Sequence, residues 1–209
     1  MEQDDLHLLK DIFANKDRAV VVANGPSVLN VDWEKIHNST NRERTLFLAC
    51  NRISILFNKT RWRPDIYACF TAASLTEKPW QQSIDECLQD DKIVSLVFDK
   101  FRHKTKLKTV HNNVVFAKKV TEHYRHDPIK KNFINLCLTN GILKSYSATS
   151  PLFQICNFLN IKTIGIIGQD GYIYDRGQNH FDKSYGYETS NMLKANKRIV
   201  NLHKELAAY

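Results

Sequence analysis

The sequence predicts a doubly wound, mainly parallel α/β sheet flanked by helices, Rossmann-like in plan and formed by a single domain. Three observations carry this. Short runs of β-branched and aliphatic residues, such as Ala19-Val20-Val21-Val22-Ala23, have the composition of strands buried on both faces. These runs alternate with segments of helical periodicity, the order expected of parallel strands joined by crossover helices. Four of them end in a polar residue, Asn24, Asn51, Thr71 and Asp170. In an open α/β sheet such strand ends meet at one edge, where ligands bind.

The elements follow in order. Asp5–Ala14 carries Leu6, Leu9, Ile12 and Phe13 near helical spacing and reads as an amphipathic helix. Strand one covers Arg18–Ala23 and stops at the turn signal Asn24-Gly25-Pro26-Ser27. Val31–Ile36 supplies one or two helical turns. Strand two, Arg44–Cys50, is followed by a short helix near Ile53–Phe57. Arg61-Trp62-Arg63-Pro64 is a break before strand three, Asp65–Phe70. Pro79 opens a helix to about Leu88 with Trp80, Ile84 and Leu88 on one face. Strand four is Lys92–Phe98, and a short strand falls at Asn113–Phe116. A helical stretch near Lys118–His126 and an apolar run at Phe133–Leu138 come next.

Ser145-Tyr146-Ser147-Ala148-Thr149-Ser150-Pro151 opens the best-marked helix. Ser150 or Thr149 can cap it, Pro151 suits its first position, and Leu152, Ile155, Cys156 and Leu159 form a buried face. Lys162–Gly168 is the last strand. Five of the seven glycines lie between Gly165 and Gly186, which marks a flexible loop, and a final helix spans about Glu188–Ala208.

Composition narrows the function classes. A chain of 209 residues with 43% hydrophobic and 25% charged residues is an ordinary globular protein. The acidic start at Glu2, Asp4 and Asp5 is unlike a signal peptide, and no stretch reaches the roughly 18 apolar residues of a membrane span. Cys50, Cys69, Cys87, Cys137 and Cys156 are scattered through apolar runs, as reduced core residues of a cytoplasmic protein would be. The net charge of +8 is concentrated between Asp99 and Lys131, where ten Lys/Arg face three Asp/Glu. This basic insert (99–131) reads either as a solvated surface or as a peripheral contact with anionic membrane or a glycolipid acceptor. It has neither the interleaved aromatics nor a motif of a nucleic-acid binder.

Chemistry concentrates at the strand ends. Asn24 and Asn51 can donate and accept at once, which suits a nucleotide, although a turn-forming Asn and a helix-capping Asn are the plainer roles. Ser147, Thr149 and Ser150 surround a helix N-terminus, a place where phosphate binds, or serve only as caps. The loop after Asp170 holds Tyr172, Tyr174 and His180, and histidine is the commonest base near neutral pH, though a loop histidine is also often a surface residue. No Asp-x-Asp clamp or His/Cys/carboxylate set at ligand spacing indicates a metal, and no G-x-S-x-G elbow indicates a serine hydrolase.

Taken in this order, the motifs resemble one group of proteins. Asn24-Gly25-Pro26-Ser27 after the first strand is similar to the Asn-Gly-Pro-Ser motif of bacterial CMP-sialic-acid-dependent sialyltransferases of the lipooligosaccharide type. Related uncharacterised Rossmann-like proteins, some labelled pterin pyrophosphokinase-like, share it. Cys50-Asn51-Arg52 resembles the second asparagine site. Ser147–Pro151 and Gly168-Gln169-Asp170-Gly171-Tyr172 resemble a Thr-Ser-Gly helix start and a Gly-x-Asp-x-Tyr strand end, and Asn179-His180-Phe181-Asp182 a His-Phe segment of the relatives. Ser-Ala-Thr-Ser-Pro departs from Thr-Ser-Gly, and the loop between Asp170 and His180 is shorter than the sialyltransferase lid.

The resemblance implies an inverting transfer of sialic acid or a similar acidic sugar from a CMP-activated donor to a surface glycan, without a metal or other cofactor. Asn24 and Asn51 would hold the cytidine and phosphate, with Gly25 and Ser27 also at the nucleotide and Gly25-Pro26 shaping the turn. Thr71, Ser147, Thr149, Ser150 and Asp170 would complete the nucleotide site. Tyr172 and Tyr174 would donate to the leaving phosphate, and His180 would deprotonate the acceptor hydroxyl. The alternatives are a pterin pyrophosphokinase-like enzyme, with ATP and a Mg²⁺ ion at Asp170 and Asp175, and a non-catalytic nucleotide-binding module. The expected setting is the cytoplasm, peripheral at the inner membrane face. No sequence feature names the acceptor, the linkage or a homo-oligomer.

Overall fold

The computed structural model describes residues 4–69, 78–98, 114–117, 148–170, 180–182 and 184. Six strands form one parallel sheet: β1 (Arg18–Val22), β2 (Thr45–Cys50), β3 (Ile66–Cys69), β4 (Val94–Phe98), β5 (Val114–Ala117) and β6 (Thr163–Ile167). Their spatial order is β5-β4-β3-β2-β1-β6. The α/β class expected from the sequence is therefore the observed one.

Strand alternation explains the two-sided core. Ala19, Val21, Leu46, Leu48, Ile66 and Ala68 point to one face, where they meet Leu9 and Phe13 of α1 (Asp4–Ile12) and its flank. Leu152, Ile155 and Cys156 of α4 (Ser150–Phe158) close the same layer. The intervening residues Val22, Phe47, Ala49, Tyr67 and Cys69 point the other way. They are covered by Trp33 of α2 (Trp33–His37), by Ile53 and Leu56 of a 3₁₀ turn, and by Ile84, Cys87 and Leu88 of α3 (Lys78–Gln89). With both faces covered, β1 to β3 need the continuous apolar runs seen in the sequence.

The element ends differ from expectation for local reasons. β4 starts at Val94, not Lys92, because Asp90 draws Lys92 and Ile93 into a turn: its carboxylate accepts from Lys92 N and its carbonyl from Ile93 N. β6 ends before Gly168, whose φ of +74° leaves the strand conformation. Ile12, expected on the buried face of the first helix, is half exposed, while Leu9 and Phe13, one full turn apart, take the core positions. The stretches expected as a helix at 118–126, an apolar run at 133–138 and a final helix at 188–208 lie outside the described residues.

One aromatic cluster fixes the layer beneath the first turn. Trp62 is fully buried, 4.5 Å from the ring of Trp33 and edge-on to Phe47 at 5.9 Å. Trp33 Nε1 in turn donates to the carbonyl of Val28 at 3.0 Å, so the cluster holds the 3₁₀ turn Pro26–Asn30 in place. Replacing Trp62 by Ala should cost about 3–5 kcal/mol of stability, read as a lower urea midpoint at unchanged slope.

Candidate functional site

The strand order has a reversal at β1. From β1 the chain moves outward through β2, β3, β4 and β5, then returns to place β6 on the other side of β1. Connections flank this point on opposite faces, so the carboxyl ends of β1 and β6 border a crevice, the usual ligand site of an open α/β sheet. Asn24-Gly25-Pro26-Ser27 leaves β1 there, and Gly168-Gln169-Asp170 leaves β6. An open depression of about 440 Å³ lies between them, with Ser27 and Val31 on one wall and residues 166–170 on the other.

The two segments are bonded to each other. Gly25 N donates to the Gly168 carbonyl at 2.7 Å. Asp170 reaches across, its Oδ2 accepting from Ser27 N at 2.6 Å and its Oδ1 from Ser27 Oγ at 2.5 Å. The carboxylate thereby satisfies an N–H at the start of the 3₁₀ turn, the role of a capping residue supplied from 143 positions away. Such an approach needs glycine at 25, since a Cβ there would stand 2.5 Å from both Gly168 O and Asp170 Oδ2.

Asn24 is 6% exposed and ties β1 to β2. Its Nδ2 donates to the Cys50 carbonyl at 3.0 Å. That bond fixes the amide, because the flipped form would set oxygen against oxygen. Oδ1 is left as a buried acceptor with no partner among the described residues. Burial pushes the neighbouring Cys50 thiol up to about 12, with the Cys69 thiol adding to the rise, so Cys50 is an unreactive core group. Cys50, Cys69, Cys87 and Cys156 are all buried thiols, as expected.

Asn51 takes a left-handed backbone, φ 58°, which asparagine tolerates better than most residues. Its carbonyl accepts from Tyr67 Oη at 2.8 Å, and its N–H donates to Ala68 O at 3.1 Å. It does not cap the following 3₁₀ turn, whose N-cap position is Arg52. The chain here is held by β3 and turned toward the edge where Asn24 lies.

His180 and Phe181 dock on the same corner. The Asn24 carbonyl accepts from Phe181 N at 2.9 Å, which brings the His180 imidazole near that carbonyl. Phe181 is 2% exposed and belongs to the core layer of Trp33 and Trp62. Asp182 pairs with Lys59 at 3.2 Å, and the buried Arg52 donates to the carbonyl of Ser184. His180 is thus half-buried, unlike a surface-loop histidine. Burial lowers its pKa from 6.5 to about 4, against the opposing pull of the Asn24 carbonyl, so the ring is neutral at pH 7.

The helix start of α4 joins the edge through Thr149. Expected as a side-chain cap, Thr149 makes no such cap and donates its hydroxyl to Gln169 Oε1 at 3.1 Å. Its carbonyl accepts from Leu152 N and Phe153 N, and Ser150 is buried beside it. Of the expected site residues, Asn24, Gly25, Ser27, Asn51, Thr149, Ser150, Asp170 and His180 lie along one edge of the sheet. Thr71, Ser147, Tyr172 and Tyr174 lie outside the described residues. Gln169 and Arg52 were not singled out by the sequence; only their positions next to Asp170 and Asn51 pointed to them. Among the described residues no group of three or more His, Cys, Asp or Glu is arranged to hold a metal ion.

No model of a known protein family matches the chain, and no curated protein matches it either.

Two outcomes follow from this geometry. Gly25→Ala should destabilise the fold by roughly 2 kcal/mol or more, because the obstructing atoms include main chain; thermal melting measures it. Because His180 has a folded pKa of about 4 against 6.5, it is the unfolded chain that takes up the proton between those values. Its contribution is complete above pH 6.5 and falls as pH drops toward 4, a loss on the order of 2–3 kcal/mol. His180→Gln should flatten that slope in urea melts compared at pH 7.5 and pH 5.

Proposed function

We propose that this protein is a glycosyltransferase that moves a sugar, sialic acid or a similar acidic sugar, from a CMP-activated donor to a surface-glycan acceptor without a metal ion. The observation that carries the reading is the anchoring of the half-buried, neutral His180 at the carboxyl end of β1, through the bond from Phe181 N to the Asn24 carbonyl. A residue meant to take a proton must begin unprotonated, and burial keeps His180 so throughout the neutral range. The ordered motif set supports the same reading through its likeness to the sialyltransferases.

In this mechanism the acceptor hydroxyl oxygen bonds to the anomeric carbon while the bond from that carbon to the phosphate oxygen breaks. The bonding pair leaves with CMP, and the hydroxyl proton passes to His180. Tyr172 and Tyr174 take the role of donors to the leaving phosphate by resemblance, where fixed donors replace a cation. An anionic phosphate near His180 raises its proton affinity from the low value of the free protein as the donor binds.

The pyrophosphokinase reading needs Asp170 as a metal ligand. Each Asp170 oxygen accepts once from Ser27 and keeps a second lone pair, so experiment separates the two readings. Thermal stabilisation by CMP, UDP, GDP and ATP, each with and without Mg²⁺, separates the readings. CMP should stabilise without Mg²⁺, and a response to ATP alone that requires Mg²⁺ would overturn the transferase. With CMP bound, His180→Ala should retain nucleotide affinity and lose at least about a hundredfold in turnover. Equal turnover would remove His180 from the chemistry, and binding with no transfer by the unaltered protein would mark a binding module.

A further inference from the structure

The Asn24–Ser27 turn looks like a phosphate loop in its place on the sheet, but its hydrogen-bonding polarity is the reverse. A phosphate needs donors. Gly25 N donates to Gly168 O, Ser27 N and Oγ donate to Asp170, Val28 N donates to Gly25 O, and Pro26 has no N–H. The Asn24 amide spends its nitrogen on Cys50 O. What remains is acceptor capacity: Asn24 Oδ1, buried and without a partner among the described residues, and the second lone pairs of the Asp170 carboxylate, which borders the depression and carries negative charge.

We propose that this turn and Asp170 bind the hydroxyls of a vicinal diol, and that the phosphate of the donor lies elsewhere along the sheet edge. A carboxylate beside a crevice accepts from paired hydroxyls and repels phosphate. Two sources present such a diol here, the ribose of the nucleotide and the acceptor sugar. The depression of about 440 Å³ is wide enough for either. The inference rests on the reading of the site as one for a nucleotide-activated sugar, and it reverses the role that the resemblance gives Asn24 toward phosphate.

The sign of one charge change tests it. Asp170→Asn keeps the shape and an oxygen for Ser27 but removes the negative charge, with thermal melting as the check on folding. A diol loses its strong acceptor, so binding weakens by about tenfold. A phosphate against the turn loses a repulsive neighbour, so binding tightens. Affinities for CMP, 2′,3′-dideoxy-CMP and inorganic phosphate are measured by calorimetry on the full chain, with acceptor KM from transfer assays. For a ribose diol, Asp170→Asn weakens CMP and leaves dideoxy-CMP unchanged. For an acceptor diol, it raises acceptor KM and leaves CMP unchanged. Tighter binding of CMP or inorganic phosphate, or no change in any of the four measurements, overturns the proposal. If Asp170→Asn does not fold, Ser27→Ala supplies the test: it frees an Asp170 lone pair, and CMP affinity or acceptor KM should improve, whereas a phosphate site would show no gain. Failure of the transferase reading shows separately, as CMP bound by the unaltered protein without transfer.

Discussion

The structure depends on how closely two backbones pass beyond the ends of β1 and β6. Where Gly25 N meets Gly168 O, the two chains are too near for a side chain on either glycine: a Cβ on Gly168 would fall 2.4 Å from Val28 Cγ2. This contact brings Asp170 within reach of Ser27 and sets the start of the 3₁₀ turn. It also leaves Asn24 buried with its amide held on β2. The turn, the crevice and the corner that receives His180 all follow from one main-chain approach.

Much of the fold could be read from the sequence because it is written in local pattern. Ala19 to Ala23 is β-branched and apolar without interruption because β1 is flanked by β2 and β6 and covered on both faces. Trp80, Ile84 and Leu88 repeat at helical spacing because α3 buries a single stripe. The site was legible as a set of strand ends but not as a set of bonds. Nothing near Ser27 indicates that its partner is Asp170, 143 residues later, or that Thr149 would turn from capping α4 to bonding Gln169. The direction of the Asn24 amide is set by a carbonyl on the adjacent strand, and only the parallel register of β1 on β2 brings that carbonyl close. Half-burial of His180 is equally non-local, since it comes from the anchoring of Phe181 in a core layer built by Trp33 and Trp62.

The same corner shows how a neutral histidine is maintained. Burial alone would favour expelling the ring, and the surrounding bonds prevent this. Phe181 fills an apolar site, its N–H is satisfied by Asn24, and the Lys59–Asp182 and Arg52–Ser184 contacts secure the chain that follows. Ser184, through its hydroxyl and its N–H, and Lys59 hold the Asp182 carboxyl below its usual range, so the ion pair persists well into mildly acidic conditions. The exposed pair contributes modestly, and the buried phenyl ring supplies most of the anchoring.

Asp170 and Phe181 are fixed points, one bonded to the first turn and the other sunk in the core, and ten residues lie between them in sequence. A chain held at both ends by its own sheet can change length at small cost, since doubling a loop adds only about 0.6 kcal/mol of closure entropy. Asp170 and the His180-Phe181 pair are therefore placed by the first turn and the core layer, and their separation does not depend on the number of residues that join them.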